Sequence, residues 1–503
     1  MGELTLWTIF GVYILAMLIL GEICARRKIK ALDDYLLAGR KHGVLPTAGT
    51  IAATVIGAGS TIGAAGVAYY VGISAAWYLL SACVGLVLLA FTFAPALRTM
   101  RLYTVPEYIE RRYGAEARTI AAGLGLIGLT MFLAAQLYAM GALTAQLMGL
   151  PLKQAIALSG LVVVLYTWRG GNWVVHWSDN VQIVWISAGL IIASAFGVKM
   201  AGGFSSLGSP PQALSFEGMG RNWFNPMTYQ PVEGWNLFAL GNTVIGWVIM
   251  STTWHFAMQS TAQRVLSSRS PKVARRACLV AAAILIPLSL FVGLTGMAAR
   301  VLYPGLAPPA GISQGEAFPA LIKGVLHPVL AGVVLAALIA VIMSTSDSAL
   351  LGASTMFVKD LYGRFFDSRA TDKVLMKLSR WLTLIIGLMA IGGALVALAL
   401  IRILEMVAAV YCVSLFVPIL LGLYWRGANQ QGAIAGMIGG ALAGGIWRVS
   451  GWEKATEIHM LNVSLPLALI AMVAVSLITR SSKEKGDKRT HIPTGGPPTG
   501  ASL

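Results

Sequence analysis

Within residues 341–354, VIMSTSDSALLGAS, positions 344–348 place four hydroxyl side chains and one carboxylate directly after an apolar run that could lie in a membrane. On a helix, Ser344, Asp347 and Ser348 share one face because they are three and four residues apart, and Thr345 lies on the neighbouring strip. Hard cations such as Na⁺ bind oxygen atoms, including those of hydroxyl and carbonyl groups. Contact between helices is the alternative use of Ser and Thr in membranes, but five consecutive polar residues favour a cation site.

A second unusual stretch, GTIAATVIGAGSTIGAAGVAYYVG at residues 49–72, has four glycines within ten residues. Glycine is a poor helix former, and freed backbone groups are tolerated in a membrane only where protein or a polar cavity satisfies them. The stretch is therefore either closely packed or broken in the middle, and the hydroxyl cluster elsewhere favours a break that offers carbonyls to a cation. Such carbonyls and two hydroxyls would form a five-oxygen sodium site without a formal charge.

Both stretches require a membrane-spanning scaffold. The chain has 503 residues, of which 57% are hydrophobic and only 11% charged, against about 25% charged in an average soluble domain. Apolar runs of about 20 residues, the length that crosses a bilayer, recur throughout. We predict an all-α membrane protein with thirteen spans, near residues 5–24, 44–72, 74–97, 117–148, 152–168, 179–200, 236–258, 273–302, 318–358, 376–400, 402–424, 430–450 and 460–479.

The basic residues indicate the orientation of these spans. When connections are assigned alternately to two sides, 29 of the 37 Lys and Arg residues fall on one side, which is a strong positive-inside pattern. This predicts a multi-pass cell-membrane protein with its N-terminus outside and its C-terminus in the cytoplasm, ending in a disordered tail at residues 481–503. The net charge of +17 is then a topology signal with a contribution to lipid contact, and no nucleic-acid partner is predicted.

Five ordered segments resemble the sodium/solute symporter family, which includes carriers of proline, pantothenate, sialic acid, glucose and iodide. The resemblance extends from about residue 5 to residue 480. Its segments are LLAGRKHGVLPTAGTIAATVIGAGSTIGAAGVAYYVG, YTWRGGNWVVHWSDNVQ, AQRVLSSRSPKVARRA, ALIAVIMSTSDSALLGASTMFVKDLY and GLYWRGANQQGAIAGMIGG. Each segment alone is a weak signal, whereas the ordered set is specific.

The resemblance implies a leucine-transporter-type fold with two inverted five-helix repeats. Residues 1–480 would form a single transporter domain. An extra N-terminal helix would occupy residues 5–24, the repeats residues 44–200 and 236–424, and two C-terminal helices residues 430–479. The repeats cannot be seen in the sequence itself.

The resemblance also implies site residues. The first sodium ion would bind the carbonyls of Ala53, Ile56 and Val341 and the hydroxyls of Ser344 and Thr345. A second sodium site, or alternatively an inner gate, would involve Asp179, Asp347 and Ser348 together with Ser344. The implied solute-binding residues are Gly57, Ala58, Gln136, Tyr138, Ser251, Trp254, His255, Gln259 and Tyr411.

The predicted function is sodium-driven symport of a small organic solute into the cell by alternating access. The pocket amides and acids of the sugar carriers are not evident, which favours a carboxylate, an amino acid or a vitamin-like acid. Two alternatives stay open: proton coupling through Asp179 or Asp347, and a solute sensor that acts with a separate signalling protein. An enzyme is not predicted, because the sequence has no GxSxG, HExxH or Walker motif.

Overall fold

The computed structural model describes residues 3–208, 244–304, 317–367, 369–396, 400–456 and 458–479. The predicted tail at 481–503 lies outside these residues, as does most of the connection before residue 244. Within the described part the chain is helical without a strand, and a single backbone bridge joins His42 to Ser268.

In chain order the helices are α1 (Glu3–Arg27), α2 (Leu32–Leu37), α3 (Val44–Val55), α4 (Ala64–Val71), α5 (Trp77–Phe91), α6 (Phe93–Thr99), α7 (Val105–Tyr113), α8 (Ala115–Met148), α9 (Leu152–Met200), α10 (Phe204–Gly208), α11 (Val244–Ala257), α12 (Gln259–Leu266), α13 (Pro271–Leu302), α14 (Ala317–Val325), α15 (Pro328–Met356), α16 (Asp372–Val396), α17 (Leu400–Val407), α18 (Val413–Tyr424), α19 (Gln430–Val449), α20 (Trp452–Thr456) and α21 (Met460–Ile478). Wider π-type turns cover Gly59–Gly63, Phe357–Phe366 and Ala408–Cys412.

Nine helical stretches of the described chain are long and apolar enough to cross a membrane. The predicted count of thirteen is therefore not confirmed. One stretch, Gly59–Phe91, joins parts of two predicted spans, and the 49-residue α9 joins two more. Two further predicted spans, at 5–24 and 236–258, are not among the nine. As a straight helix, the 49 residues of α9 would far exceed the bilayer thickness. Helix α9 is instead kinked at Gly171, where φ is 52° and ψ is −152°.

The predicted break in the glycine-rich span is confirmed. Helix α3 ends at Val55, Ile56 has an extended backbone with φ −78° and ψ 107°, and the chain resumes as a π-type turn that leads into α4. A second break, which the sequence analysis did not predict, separates α11 from α12. There Met258 has φ −66° and ψ 119°.

Helix α15 lies at the centre of the bundle. It packs against α3, α8, α9 and α12, and every residue from 334 to 356 is buried. The hydroxyls and the carboxylate of this helix therefore face protein, where polar partners satisfy them, and not lipid. The packing brings the hydroxyl-rich segment of α15 against the break after α3.

Candidate functional site

Five oxygen atoms converge where α15 meets the break after α3. The Ser344 hydroxyl lies 3.1 Å from the carbonyl oxygen of Ala53 and 2.7 Å from that of Val341. The Thr345 hydroxyl lies 3.1 Å from the carbonyl oxygen of Ile56 and 3.2 Å from that of Val341. All five residues are at most 2% exposed. The structure thus brings together, in a buried position, the five residues that the sequence analysis named for a first sodium ion.

Two side chains hold the break open. The Gly57 amide donates to the Ser60 hydroxyl at 2.8 Å, and the Ala58 amide donates to the Gln136 side-chain oxygen at 3.3 Å. In an uninterrupted helix the Gly57 amide would bond the Ala53 carbonyl. Because Ser60 takes this amide, the Ala53 carbonyl accepts from Ser344 instead. Sequence reasoning missed Ser60, although a serine three residues after the predicted break was the available signal.

Gly57 lies between the oxygen cluster and a central cavity. A Cβ atom at this position would be 3.1 Å from the Thr345 hydroxyl and 3.4 Å from the Gln136 side-chain nitrogen. The backbone of α3 therefore approaches both side chains more closely than an alanine would comfortably allow. A shift of this backbone would therefore displace atoms at both the oxygen cluster and the cavity wall.

A fully buried arginine organises a second polar cluster. Arg264 donates to the side chains of Asn172 and Ser348, and its Nε lies 3.4 Å from the Thr54 hydroxyl. The same Nε is 3.7 Å from the Asp179 carboxylate, and both side chains are completely buried. The guanidinium group thus lies between Asp179 and Ser348. The sequence analysis assigned Arg264 to a basic connection and did not consider it as an intramembrane charge.

The two predicted acids have further partners in this region. Asp179 accepts a hydrogen bond from Thr50. Asp347 accepts from Tyr166 on one carboxylate oxygen and from Ser348, at 3.2 Å, on the other. The Ser348 hydroxyl also lies 2.7 Å from the Ser344 carbonyl, so this cluster adjoins the five-oxygen cluster along α15.

A neutral histidine lies near Arg264, in the turn before α3. The ring of His42 stacks on that of His176 with centroids 4.2 Å apart. Burial and the Arg264 guanidinium lower the pKa of His42 to about 4. This side chain is therefore uncharged near neutral pH and adds no second positive charge beside Arg264.

A cavity of about 1140 Å³, including its open mouth, lies beside the break. Five of the residues that the sequence analysis named for solute binding line it: Gly57, Gln136, Ser251, Trp254 and His255. The neighbouring Ala58 contributes its amide to Gln136. Aromatic rings and a carboxylate that were not predicted also line it: Tyr78, Phe132, Trp247 and Glu405.

The other three predicted solute residues lie away from this lining. Tyr138 is partly buried and packs against the core. Gln259 and Tyr411 lie at the second break, where the Tyr411 hydroxyl donates to the Ala257 carbonyl at 2.8 Å and accepts from the Gln259 amide at 3.2 Å. The Gln259 side chain accepts from the Val105 amide and donates to the Tyr103 carbonyl, both at 2.9 Å. Tyr411 therefore satisfies the backbone of the second break, and the Gln259 side chain bonds the backbone at the start of α7.

Two broken helices, a buried oxygen cluster and a central cavity together define a helical membrane carrier. The model of the "Sodium:solute symporter family" matches residues 35–440. The chain belongs to this family, and sodium is its co-transported ion.

Several known proteins are similar to the chain over nearly its whole length. The "Osmoregulated proline transporter OpuE" of Bacillus subtilis is 28% identical, with 93% of this chain and 94% of the relative covered. The "Sodium/proline symporter" of Escherichia coli is also 28% identical, with 89% of each chain covered. The solved structure of a Na⁺-coupled sialic acid symporter in a substrate-bound outward-open state superimposes with a TM-score of 0.80 at 21% identity, covering 94% of this chain and 98% of that one. Its similarity confirms the leucine-transporter-type fold.

Proposed function

We propose that the chain imports a small organic solute by sodium-driven symport, with sodium bound by the five oxygen atoms between α3 and α15. The observation that carries this proposal is the convergence of the Ser344 and Thr345 hydroxyls on the three carbonyls of Ala53, Ile56 and Val341. Oxygen ligands without a formal charge suit a monovalent hard cation that must also be released. The orientation of 29 basic residues toward one side supports an outer N-terminus and a cytoplasmic C-terminus.

The coupling would run through Gly57. A bound sodium ion fastens the break to α15, which fixes the Gly57 and Ala58 backbone against Gln136 at the cavity wall. An ordered wall binds solute more tightly, and linkage requires the solute to raise sodium affinity by the same factor. The membrane potential then favours inward movement of the loaded carrier by about 2.3 kcal/mol per charge per 100 mV.

Asp179, Asp347 and Ser348 would form an inner gate with Arg264, and only one sodium ion would be carried. The support is electrostatic, because the guanidinium group already provides the positive charge between Asp179 and Ser348. A second cation at this place would have to compete with Arg264 for the Asp179 carboxylate. The gate would open when the Arg264 side chain moves away from Asp179. An inner gate is the alternative role that the sequence analysis gave to Asp179, Asp347 and Ser348.

The transporter domain would cover residues 1–480, with inverted repeats at 44–200 and 236–424. Support comes from the breaks at Ile56 and at Met258, because each lies in the first helix of one proposed repeat. The solute would be a carboxylate, an amino acid or a vitamin-like acid. Its carboxylate would bind at the amino end of the half-helix that follows the first break, where backbone amides and the helix dipole favour negative charge.

Thermal stability of the purified protein in NaCl against KCl tests the sodium site. A ligand that binds only the folded state at a hundred times its dissociation constant stabilises by about 2.7 kcal/mol. We expect a sodium-specific rise in melting temperature that Ser344→Ala and Thr345→Ala abolish.

Ser346→Ala is the matched control for both variants. Its buried hydroxyl donates to the Ile342 carbonyl within α15, one position from the oxygen cluster, so the sodium response should persist. Equal stabilisation by potassium, or a response that survives in Ser344→Ala, would refute the site. A pH-dependent response that follows Asp179 or Asp347 would instead indicate proton coupling.

A further inference from the structure

The short helix α7 lies between α6 and α8, in a connection whose basic residues predict a cytoplasmic location. The Thr104 hydroxyl accepts the Glu107 amide at 3.2 Å and so caps the start of this helix. The Tyr103 amide in turn donates to the Glu107 carboxylate at 2.7 Å. The start of α7 is therefore well ordered, although neither the oxygen cluster nor the cavity lining includes any part of it.

Asp360, just beyond the end of α15, fixes α7 to that helix. One oxygen of this fully buried carboxylate accepts from the Thr104 hydroxyl at 2.8 Å and from two nitrogens of Arg118 at 2.9 and 2.7 Å. Arg118 also forms an ion pair with Glu110 on α7. Charge-assisted bonds are roughly twice as strong as neutral ones, so the attachment of α7 to α15 is strong.

Two buried tyrosines fix the same helix to α18. The Tyr113 hydroxyl donates to the Pro418 carbonyl at 2.8 Å, and the Tyr108 hydroxyl donates to the Ile419 carbonyl at 3.4 Å. A Cβ atom at Gly422 would lie 2.8 Å from the first hydroxyl and 3.0 Å from the second, so the glycine allows this close approach. Helices α7, α15 and α18 are thus joined into one unit.

The half-helix α12, which follows the second break, is tied to α6. Arg98 on α6 donates to the Ser268 carbonyl at 2.5 Å and to the Arg269 carbonyl at 3.3 Å, just past the end of α12. At the other end of α12, Ser260 and Thr261 line the central cavity. A movement of α12 together with α6 would therefore change the cavity wall.

Gln259 connects α12 to the unit that contains α7. Its fully buried side chain accepts from the Val105 amide and donates to the Tyr103 carbonyl, both at 2.9 Å. Both bonds are neutral. Between α6 and these residues the backbone passes through Arg101, an exposed residue whose φ of 54° lies in the left-handed region. The chain therefore has a sharp, exposed turn between the two units that Gln259 joins.

We propose that Gln259 is a positioning residue that keeps the cavity closed toward the cytoplasm. Its two bonds to Tyr103 and Val105, here called the inner latch, would break when the carrier opens inward. The stronger bonds between Arg118 and Asp360 would meanwhile keep α7 on α15.

The inner latch rests on the proposed function, because it serves alternating access. It adds a second closure to the proposed Arg264 gate. That gate acts between α12 and α15, where Arg264 bonds Ser348 and Gln263 bonds Thr355 at 2.7 Å. The inner latch acts between α12 and the start of α7, and the backbone would bend at Arg101 when it opens.

Cysteine labelling from the two sides of the membrane tests the inner latch. Ser260→Cys places a thiol on the cavity wall beside Gln259, and the four native cysteines are buried. A membrane-impermeant methanethiosulfonate is applied in NaCl to inside-out and right-side-out vesicles. Gln259→Met in this background removes both bonds and keeps a long side chain. It should raise the labelling rate from the inside about tenfold, without raising the rate from the outside.

Gln430→Met is the matched control, because the Gln430 side chain donates to Glu116 at 2.8 Å and has no bond to the inner latch. It should leave labelling from both sides unchanged. An unchanged inside rate in Gln259→Met would overturn the inner latch. A rate that rises equally from both sides would also overturn it, because general loosening of the fold exposes the thiol in both directions.

Hydrogen exchange of the unmodified protein tests the inner latch without a substitution. Sodium can leave toward the cytoplasm only if the inward-open state binds it more weakly, so linkage makes sodium favour the closed latch. The Val105 amide, which donates to Gln259, should therefore exchange more slowly in NaCl than in KCl. The Gly114 amide, which donates to the Glu110 carbonyl at 2.8 Å, should exchange equally in both salts.

The outcomes separate the inner latch from the proposed function. A sodium-specific rise in melting temperature without slower exchange at Val105 contradicts the inner latch and leaves the sodium site intact. Absence of that rise contradicts the proposed sodium site instead. The labelling comparison then still decides the inner latch, because it compares Gln259→Met with its parent in a single salt.

Discussion

At the scale of single residues, Ser60 determines whether the Ala53 carbonyl is available. Helix continuation would join the Gly57 amide to that carbonyl, and the Ser60 hydroxyl prevents this by accepting the amide at 2.8 Å. Ser60 also donates to the Val55 carbonyl at 3.2 Å. One side chain therefore satisfies an amide on one side of the break and a carbonyl on the other, and the carbonyls needed for a cation remain directed at α15.

Ser60→Ala should weaken sodium binding about three- to tenfold, because the loss of a hydrogen bond of about 0.5–1.5 kcal/mol lets the Gly57 amide compete for the Ala53 carbonyl. Sodium titration of the melting temperature measures this change. Ser74→Ala is the matched control, since the buried Ser74 hydroxyl donates to the Val71 carbonyl beyond the end of α4. Unchanged sodium affinity in Ser60→Ala would show that the break holds itself open without this side chain.

The residues that the sequence could identify are those with a local signal. Ser344 and Thr345 are conspicuous because they are hydroxyls in an apolar helix, and glycines mark the break that contains Ile56. Arg264 gives no such signal, because it lies beside four other basic residues in QRVLSSRSPKVARR and reads as part of a connection. Only the packing of α12 against α3 and α15 places it inside the bundle.

At the scale of helices, the two breaks have different local causes. The first lies among glycines, which weaken the helix themselves. The second, at Met258 in WHFAMQSTAQ, contains neither Gly nor Pro, and distant side chains satisfy its backbone. Tyr411 bonds both the Ala257 carbonyl and the Gln259 amide. Sequence patterns therefore predicted the first break and could not predict the second, whose cause is tertiary.

Tyr411→Phe should lower the melting temperature, because it leaves the Ala257 carbonyl and the Gln259 amide without their partner, at a cost of about 1–3 kcal/mol. The sodium-specific increment should persist, since the oxygen cluster lies at the other break. Tyr424→Phe, at a 61% exposed ring, is the matched control. An unaltered melting temperature in Tyr411→Phe would mean that the second break does not depend on this hydroxyl.

Helix boundaries were predicted less well than helix identity. Hydropathy marks apolar stretches but not the point at which a continuous helix changes direction. The single helix α9, which is kinked at Gly171, therefore covers two of the predicted spans. For the same reason, the stretch Gly59–Phe91 covers parts of two predicted spans. The ends of a helix depend on backbone geometry that composition does not record.

At the scale of the whole molecule, the distribution of buried charges bears on how many sodium ions the carrier transports. The oxygen cluster contains no formal charge, whereas the adjoining cluster contains Asp179, Asp347 and the resident Arg264. In the proposed cycle, the oxygen cluster is the position for a mobile cation, and the Arg264 side chain fills the position beside Asp179. Each transport cycle should then move one sodium ion with each solute molecule.

This stoichiometry predicts a Hill coefficient near 1 for sodium in solute binding, and a ratio of one sodium ion to one solute molecule in flux measurements on proteoliposomes. Removal of the Arg264 guanidinium group should change the number of sodium ions that the protein binds. Arg264→Ala leaves Asp179 buried without its cation, at a cost of about 3–5 kcal/mol, which sodium bound in the vacated space would offset.

We therefore expect Arg264→Ala to be strongly destabilised in KCl and to regain stability in NaCl even when Ser344 is also replaced by Ala. Ser344→Ala alone should show no sodium response, which makes it the control for the double variant. A Hill coefficient near 2 in the unmodified protein would refute the single-ion cycle irrespective of how the variants fold. The guanidinium group would then act beside a second sodium ion and not in place of one.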